Sequence, residues 1–210
     1  MKRMTLGSRG ILAFAFLALS PSIAFACEVT DVSGSARIVT DEVARVTAVG
    51  LQLERGERIE TDEDARVTLL CDGGLTVSVA PNSRLQVDRF LTDTPTGWRR
   101  LFRGGGQGQM QLFEGAAGFL MHGTGGSRFR LRTPNAVAAV RSTEWAVETD
   151  GRQSAVFVRA GRVRAIGGGS SQRLDPGEGI DITGNSVSGV REWPATRVAA
   201  LNERIGGAWP

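Results

Sequence analysis

Residues 66–87 read RVTLLCDGGLTVSVAPNSRLQV, and this stretch decides the fold class. Apolar and polar residues alternate in three short runs, at positions 66–70, 75–79 and 84–87. Alternation of this kind is typical of β-strands that bury one face. Asp72-Gly73-Gly74 and Pro81-Asn82-Ser83 separate the runs, and both are strong turn signals. The stretch therefore predicts three short strands joined by tight turns.

The same pattern continues along most of the chain. Further predicted strands cover residues 35–39, 112–113, 118–121, 129–132, 145–148, 155–159, 162–166 and 179–182. Short strands that recur about every 8 to 12 residues indicate an all-β sandwich, barrel or solenoid. The 28 glycines among 210 residues also favour a turn-rich β protein over a helical bundle.

A weak internal repeat narrows this choice. Residues 59–67 resemble residues 131–138, and residues 34–38 resemble residues 161–166. Each copy has a glycine turn or a threonine corner that leads into a strand. Stacked similar turns favour a short β-solenoid, in which neighbouring units bury each other's faces. The sequence thus predicts an all-β fold, built as a short solenoid-like stack of strands.

The chain ends with a helical signal. Pro194 precedes an apolar stripe of Val198, Leu201 and Ile205, and Gly206-Gly207 follows the stripe. We expect a helix that begins at Pro194 and stops at Gly206-Gly207, within a C-terminal cap or tail segment of residues 191–210. This helix is expected to cap an open end of the stack, and docking to a separate protein is the alternative. The β domain itself is predicted to span residues 27–190, with a loop insertion near residues 92–108.

The first 26 residues have the layout of a secretory signal peptide. Lys2, Arg3 and Arg9 precede an apolar run at residues 11–19, and Ala24-Phe25-Ala26 supplies the small residues of a cleavage site. The apolar run is too short for a transmembrane helix, which needs about 20 residues. We expect cleavage after Ala26 and a periplasmic or secreted protein whose mature chain has no membrane span.

Removal of this leader changes the charge balance. The full chain has 25 basic and 22 acidic residues, and the leader holds three of the basic ones and no acidic one. The mature chain would therefore carry 22 of each. This balance predicts that no polybasic patch remains, and the absence of a nucleic-acid-binding motif excludes nucleic acid as a partner.

Cys27 would be the first mature residue, and Cys71 is the only other cysteine of the chain. In an oxidising compartment the simplest prediction is a disulfide between them. A lipid-modified Cys27 is the alternative, because bacterial lipoproteins also begin at cysteine. Ala24 and the bulky Phe25 do not fit the usual lipoprotein signal, which places leucine and a small residue there.

A cluster of charged and aromatic residues lies inside the predicted loop. Its residues are Trp98, Arg99, Arg100, Phe102 and Arg103. Such a cluster is either a solvated excursion with anchoring aromatics or a surface that binds a partner. Both interpretations stay open at this point.

The sequence offers little for catalysis or cofactor binding. His122 is the single histidine, and the glycine runs at residues 104–106 and 167–169 lack the lysine and the helix of a phosphate-binding loop. The acidic run Asp62-Glu63-Asp64 lacks the spacing of a calcium loop. We therefore predict no catalytic residue, no cofactor and no metal site, so the protein is not expected to be an enzyme.

Residues 132–145 form the most distinctive segment, with the key positions Thr133, Pro134, Val140, Arg141, Ser142, Thr143, Glu144 and Trp145. Two glycine corners follow, at Gly161 and Gly177. This pattern resembles the FecR-type periplasmic domain, and the resemblance extends from about Ser33 to Ile182. Trp145 stands where the family usually has phenylalanine, and Ser142 replaces the usual glycine. Arg141 and Glu144 flank a corner and are expected to form a structural ion pair with hydrogen bonds to neighbouring turns, with a recognition surface as the alternative.

The resemblance implies a function in the cell envelope. The best-known FecR-type proteins carry a cytoplasmic anti-sigma segment followed by a transmembrane helix. In this sequence the predicted signal peptide occupies the place of both. The chain is therefore similar to free-standing secreted members. We expect a non-catalytic module that binds an envelope protein or a cell-surface ligand in envelope signalling or organisation. Binding of polysaccharide or peptidoglycan is the alternative, which a row of exposed aromatic residues would favour.

Overall fold

The computed structural model describes residues 27–89, 107–122, 128–141, 143–206 and 209. Its strands are β1 (Cys27–Ser33), β2 (Ala36–Val39), β3 (Ala44–Val46), β4 (Gln52–Leu53), β5 (Arg58–Thr61), β6 (Arg66–Cys71), β7 (Leu75–Val79), β8 (Arg84–Arg89), β9 (Gln107–Met121), β10 (Arg128–Arg132), β11 (Ala136–Val140), β12 (Glu144–Thr149), β13 (Gln153–Ala160), β14 (Val163–Gly167), β15 (Ser170–Leu174), β16 (Glu178–Thr183), β17 (Ser186–Val187) and β18 (Arg191–Glu192). One helix, α1 (Ala195–Ile205), follows them. The predicted signal peptide and the Trp98–Arg103 cluster lie outside the described residues.

The strands form two sheets. The first sheet has the order β4-β1-β6-β7-β9-β12-β13-β16, and both β17 and β18 pair with β16. The second sheet has the order β3-β2-β5-β8-β9-β10-β11-β14-β15. The all-β prediction is therefore confirmed.

Strand β9 belongs to both sheets and joins them. Its first half pairs with β8 and β10 in the second sheet, and its second half pairs with β7 and β12 in the first. The chain crosses between the sheets at Gly115, whose φ of 95° is favourable only for glycine. A Cβ atom at this position would also collide with Ser83, whose hydroxyl accepts a hydrogen bond from the Ala116 amide at 3.0 Å.

The core lies between the two sheets. One cluster of buried side chains takes alternate residues from both, such as Val77 and Val156 from the first and Ile59 and Val163 from the second. Phe119, Phe129 and Trp145 form its aromatic centre, with a ring distance of 4.2 Å between Phe119 and Trp145. The period-two pattern of the sequence therefore directs one face of each sheet into a shared core.

The described pairings do not confirm the predicted solenoid. A β-helix stacks parallel strands, whereas β9–β10 is the one parallel pairing among the described strands. The repeat is only partly structural. Gly34 and Gly161 both take a positive φ where the chain passes from the first sheet to the second. Residues 59–67 also pass between the sheets, but residues 131–138 form a hairpin within the second sheet.

The C-terminal helix is confirmed, but it covers a face rather than an end of the strands. Leu201 and Ile205 of α1 are buried against the outward side of the first sheet. The sheet offers them small side chains, which are Ala80, Ala116, Ala146 and Ala155. Trp193 stacks on Phe157 at 5.1 Å just before the helix begins. The small residues thus create the space in which the helix packs.

The predicted disulfide joins Cys27 and Cys71. The two residues lie directly opposite each other on the antiparallel strands β1 and β6. The bond therefore fastens the first described strand to the middle of the first sheet. Among the described residues, no helix is long and apolar enough to cross a membrane.

Candidate functional site

The outward face of the second sheet carries a concentration of arginines. On β10, Phe129 and Leu131 point into the core, so Arg128, Arg130 and Arg132 point outward, and all three are exposed. On β14, Val163 and Ala165 are buried, and the exposed Arg164 lies between them. Arg162 and Arg173 are also exposed, with side chains about 60% accessible. The strand alternation thus sends one residue type repeatedly to one surface.

Sheet register aligns these arginines into two rows. Arg130 lies opposite Ala139 of β11, Ala139 lies opposite Arg164, and Arg164 lies opposite Arg173 of β15. The central strand β11 contributes only small and medium side chains, Ala139 and Val137, to this face. Neighbouring strands are about 4.8 Å apart, so β10 and β14 are separated by roughly 10 Å across β11. Long cationic side chains of β10 and β14 therefore lie on both sides of the short side chains of β11.

We call this depression the arginine groove. It has a volume of about 760 Å³. The arginines that line it are Arg128, Arg130, Arg141, Arg162, Arg164 and Arg173. Ala139 also lines it, together with the buried residues Phe129, Val140 and Val163.

The described strands that form this groove carry no acidic side chain. The strands β10, β11, β14 and β15 contain no acidic residue, and Asp175 follows β15 directly. Asp175 accepts hydrogen bonds from Arg162 at 2.9 Å and Arg173 at 3.2 Å. The hydrogen bond from Arg162 is the main reason why the pKa of Asp175 lies below its ordinary value. Asp175 is thus already engaged at one side of the groove.

The other arginines of this sheet face differ from Arg162 and Arg173 in their ion pairs. Within the part of the chain that the structure describes, Arg128, Arg130, Arg132 and Arg164 form no ion pair. In the first half of the same sheet, by contrast, arginines alternate with acids. Arg58 pairs with Glu60 at 2.8 Å, and Arg84 pairs with Glu114 at 2.9 Å. Positive charge is therefore concentrated on one half of the sheet.

The prediction that no polybasic patch remains was wrong. A balanced total charge does not exclude a local excess, because the acids lie mainly on other surfaces. The sequence carried a partial signal, since arginine occurs at alternate positions 128, 130 and 132, and again at 162 and 164. Only the register of β10, β11 and β14 brings these two runs together.

The family-like segment begins with a polar turn between β10 and β11. The Thr133 hydroxyl accepts a hydrogen bond from the Ala136 amide at 2.9 Å and lies 2.7 Å from the Ser154 hydroxyl. Pro134 is exposed in the turn that follows. Val140 is buried at the end of β11. The Thr-Pro turn thus starts β11 and fixes its register.

The corner between β11 and β12 depends on Thr143 and Trp145. The Thr143 hydroxyl donates hydrogen bonds to the carbonyl oxygens of Arg141 at 2.7 Å and Arg162 at 3.2 Å. Trp145 is fully buried in the aromatic centre of the core. Because Arg162 belongs to the arginine groove, Thr143 connects this corner to the groove. Ser142, where the family usually has glycine, lies outside the described residues.

Glu144 forms an ion pair, and its partner is Arg159 on the neighbouring strand β13. Their side chains approach to 3.2 Å, and both are largely buried. Arg159 also donates to the Asn202 side chain of α1 at 2.8 Å. Gly161 and Gly177, the two later glycine corners, take φ values of 82° and 87°. These positions therefore stabilise the corners of the domain and the contact between β13 and α1.

The described part of the chain offers little support for a metal site or for an aromatic sugar-binding surface. No group of three or more His, Cys, Asp or Glu side chains is arranged to hold a metal ion there. His122 is exposed at the end of β9. No large aromatic side chain is exposed among the described residues. The predicted cluster from Trp98 to Arg103 lies outside this part of the chain, between Arg89 and Gln107.

Comparison with protein-family models identifies the family to which these corners belong. The sequence model of the FecR protein family matches residues 57–164, which is just over half of the chain. The chain belongs to the FecR family. The matched region contains β11, β12 and the corner between them, together with most of the arginine groove. The earlier resemblance is therefore confirmed for the family.

Solved structures share the fold of this FecR protein. Two crystal structures of a protein assigned as an anti-sigma factor from Parabacteroides distasonis ATCC 8503 superpose with TM-scores of 0.55 and 0.54. Sequence identities are 21% and 22%, and the alignments cover 68% of this chain. They cover 63% and 62% of those proteins, so this chain spans less than two thirds of their length. No curated protein sequence matches the chain.

Proposed function

We propose that this FecR protein is an exported, non-catalytic binding module in envelope signalling or organisation, and that it binds an anionic protein partner at the arginine groove. The groove carries this proposal, since six arginines line one depression and Asp175 pairs with two of them. Arginine binds carboxylates through a planar pair of N–H donors, which gives direction as well as attraction.

Export is supported by two independent features. The leader has the charged start, apolar run and small-residue ending of a signal peptide. The Cys27–Cys71 disulfide is the bond expected in an oxidising compartment. On this proposal the mature protein begins at Cys27, and the β domain spans residues 27–190. Lipid modification of Cys27 would compete with the disulfide for the same sulfur atom.

A protein partner agrees better with this surface than a neutral polysaccharide. Sugar-binding proteins commonly stack the apolar faces of sugar rings on exposed aromatic side chains. No large aromatic side chain is exposed among the described residues. Arginine guanidinium groups instead favour negatively charged groups. Polysaccharide or peptidoglycan binding remains the competing proposal. The Trp98–Arg103 cluster is proposed as an additional partner surface.

Site-specific cross-linking in the exporting cell tests the binding proposal. Ala139, which lines the groove, is replaced by photoreactive benzoylphenylalanine, and Arg37 on the other half of the sheet is replaced in a control protein. We expect a discrete protein adduct from position 139 and none from position 37. The adduct should disappear in the Arg130→Gln, Arg164→Gln double variant.

A parallel measurement distinguishes the competing proposal. The purified mature protein is mixed with isolated peptidoglycan and sedimented. Sedimentation that depends on Arg130 and Arg164, without any protein adduct at position 139, would replace the protein partner by cell wall. The intact mass of the mature protein also tests export, because a start at Cys27 without an acyl chain is expected.

A further inference from the structure

We infer that the arginine groove binds an extended segment of its partner in which Asp and Glu residues follow one another without interruption. This inference rests on the proposed function, because it specifies the ligand of the same surface. It follows from the shape of the groove and from the spacing of its charges.

The arginine spacing along the groove equals the repeat of an extended peptide. Arg128, Arg130 and Arg132 occupy alternate positions on β10, so neighbours in this row have Cα atoms about 6.8 Å apart, and Arg132 continues the row beyond the residues that line the groove. Arg164 on β14 and Arg162, which directly precedes this strand, also occupy alternate positions. Side chains on one edge of an extended peptide recur at the same interval. A bound strand of acidic residues would therefore stay in step with each row of arginines.

The two rows explain why the acidic run should be uninterrupted. Successive side chains of an extended peptide point to opposite sides. A peptide that lies along β11 would direct odd residues to the β10 row and even residues to the β14 row. If only every second residue were acidic, one of the two rows would remain without a carboxylate. A continuous run of Asp or Glu supplies carboxylates to both rows.

The short side chains of β11 leave room for a peptide backbone. Ala139 and Val137 of β11 are short, and Arg130 and Arg164 stand on either side of Ala139. Beside Val137, the β10 row continues with Arg132 and the β14 row with Ile166, which is 41% exposed. The channel therefore has cations on both sides at Ala139 and on one side at Val137. The rows are separated by roughly 10 Å, or two strand spacings. This width admits one extended chain with its side chains directed outward.

Charge alone would attract any polyanion, so the pattern of the acids must be tested separately from their number. Two fluorescent octapeptides provide this test, and both carry four glutamates. One has four consecutive glutamates followed by four glutamines, and the other alternates glutamate with glutamine. Octaglutamate and octaglutamine serve as the strong and neutral references. Fluorescence anisotropy with the purified mature protein gives each Kd at low and at moderate salt.

We expect octaglutamate to bind and octaglutamine not to bind. The peptide with consecutive glutamates should bind at least fivefold more tightly than the alternating peptide, because only the former reaches both rows. The Arg130→Gln, Arg164→Gln variant should weaken octaglutamate binding at least tenfold. The matched variant Arg37→Gln, Arg84→Gln makes the same change in total charge on the other half of the sheet, and its Kd should stay within twofold of the wild type.

Several results would overturn the inference. Equal affinity for the two four-glutamate peptides would show that the groove responds only to charge. Equal weakening by the two double variants would place the binding elsewhere. Binding of alginate, a carboxylated polysaccharide, that requires Arg130 and Arg164 without binding of octaglutamate would identify an acidic glycan as the ligand. If the cross-link at position 139 persists while octaglutamate does not bind, the binding function stands and the acidic segment is wrong.

Discussion

The Arg159 guanidinium lies 3.2 Å from the Glu144 carboxylate, and this pair connects the family motif to the C-terminal helix. Arg159 also donates to the Asn202 side chain at 2.8 Å, and Asn202 accepts a hydrogen bond from the Trp209 indole at 3.0 Å. Glu144 therefore stands at the start of a chain of contacts that leads from β12 to α1. Its position explains why a motif residue matters for the attachment of a distant helix.

Replacement of Glu144 by alanine should destabilise the protein. The change leaves Arg159, which is only 25% exposed, without its carboxylate partner. Loss of a hydrogen bond to a charged group in such a site costs about 1–3 kcal/mol. We expect a lower Tm, measured by circular dichroism. The exposed residue Glu192 serves as the matched control, and equal Tm values for Glu144→Ala and Glu192→Ala would contradict a structural role of Glu144.

The local structure of this domain was largely predictable from the sequence. Residues 75–79 alternate in the sequence and form β7 with the same bounds. The stripe of Leu201 and Ile205 likewise predicted α1. Such patterns depend on neighbours in the chain, so a single sequence contains them.

The arrangement of the two sheets was less predictable. The pattern indicated separate strands at residues 112–113 and 118–121, whereas β9 is one strand that crosses between the sheets. Gly115 lies between these two runs, and its positive φ bends the strand instead of ending it. The arginine groove was missed for a related reason. Arg130 and Arg164 are 34 positions apart, and only their common pairing with Ala139 makes them neighbours.

The disulfide should contribute substantially to stability. It closes a loop with a sequence separation of 44, and loop-closure entropy then predicts a contribution of about 4 kcal/mol. The Cys27→Ser, Cys71→Ser double variant should therefore unfold at a lower urea concentration, as followed by tryptophan fluorescence. A reductant should shift the wild type toward the variant and leave the variant unchanged. An unfolding midpoint of the wild type that does not respond to reductant would contradict this bond in solution.

The helix attachment should also depend on pH through Asp181. Arg197 of α1 binds Asp181 at 2.6 Å and lies 3.5 Å above the Trp193 ring. The hydrogen bond from Arg197 is the main cause that lowers the pKa of Asp181 below 3.8. The folded protein thus keeps Asp181 charged to a lower pH than the unfolded chain does. Its stabilisation is present above about pH 4 and is lost as the pH falls through the lowered pKa.

Urea unfolding between pH 5 and pH 2 measures this dependence. We expect Asp181→Asn to lower the stability near neutral pH and to reduce the loss of stability in acid. Arg197→Met should flatten the same acid limb, and the double variant should lose less than the sum of the single changes. An acid limb of wild-type steepness in both single variants would exclude this ion pair as its source.

Trp145 allows a test of how the aromatic centre tolerates the residue that is usual in the family. Its Nε1 atom is buried and has no hydrogen-bond partner in the described part of the chain. The Trp145→Phe variant removes this unsatisfied donor, while a six-membered ring can still contact Phe119 and Phe129. We expect a change below about 1.5 kcal/mol in the free energy of unfolding.

The Trp145→Ala variant provides the contrast, because it removes the whole ring from a fully buried position. Such a cavity costs about 3–5 kcal/mol, which should be visible as a large shift of the urea midpoint. If the phenylalanine variant instead lost as much stability as the alanine variant, the indole N–H would have to make a stabilising hydrogen bond. In that case the packing of the ring would not be the main contribution of Trp145 to the core.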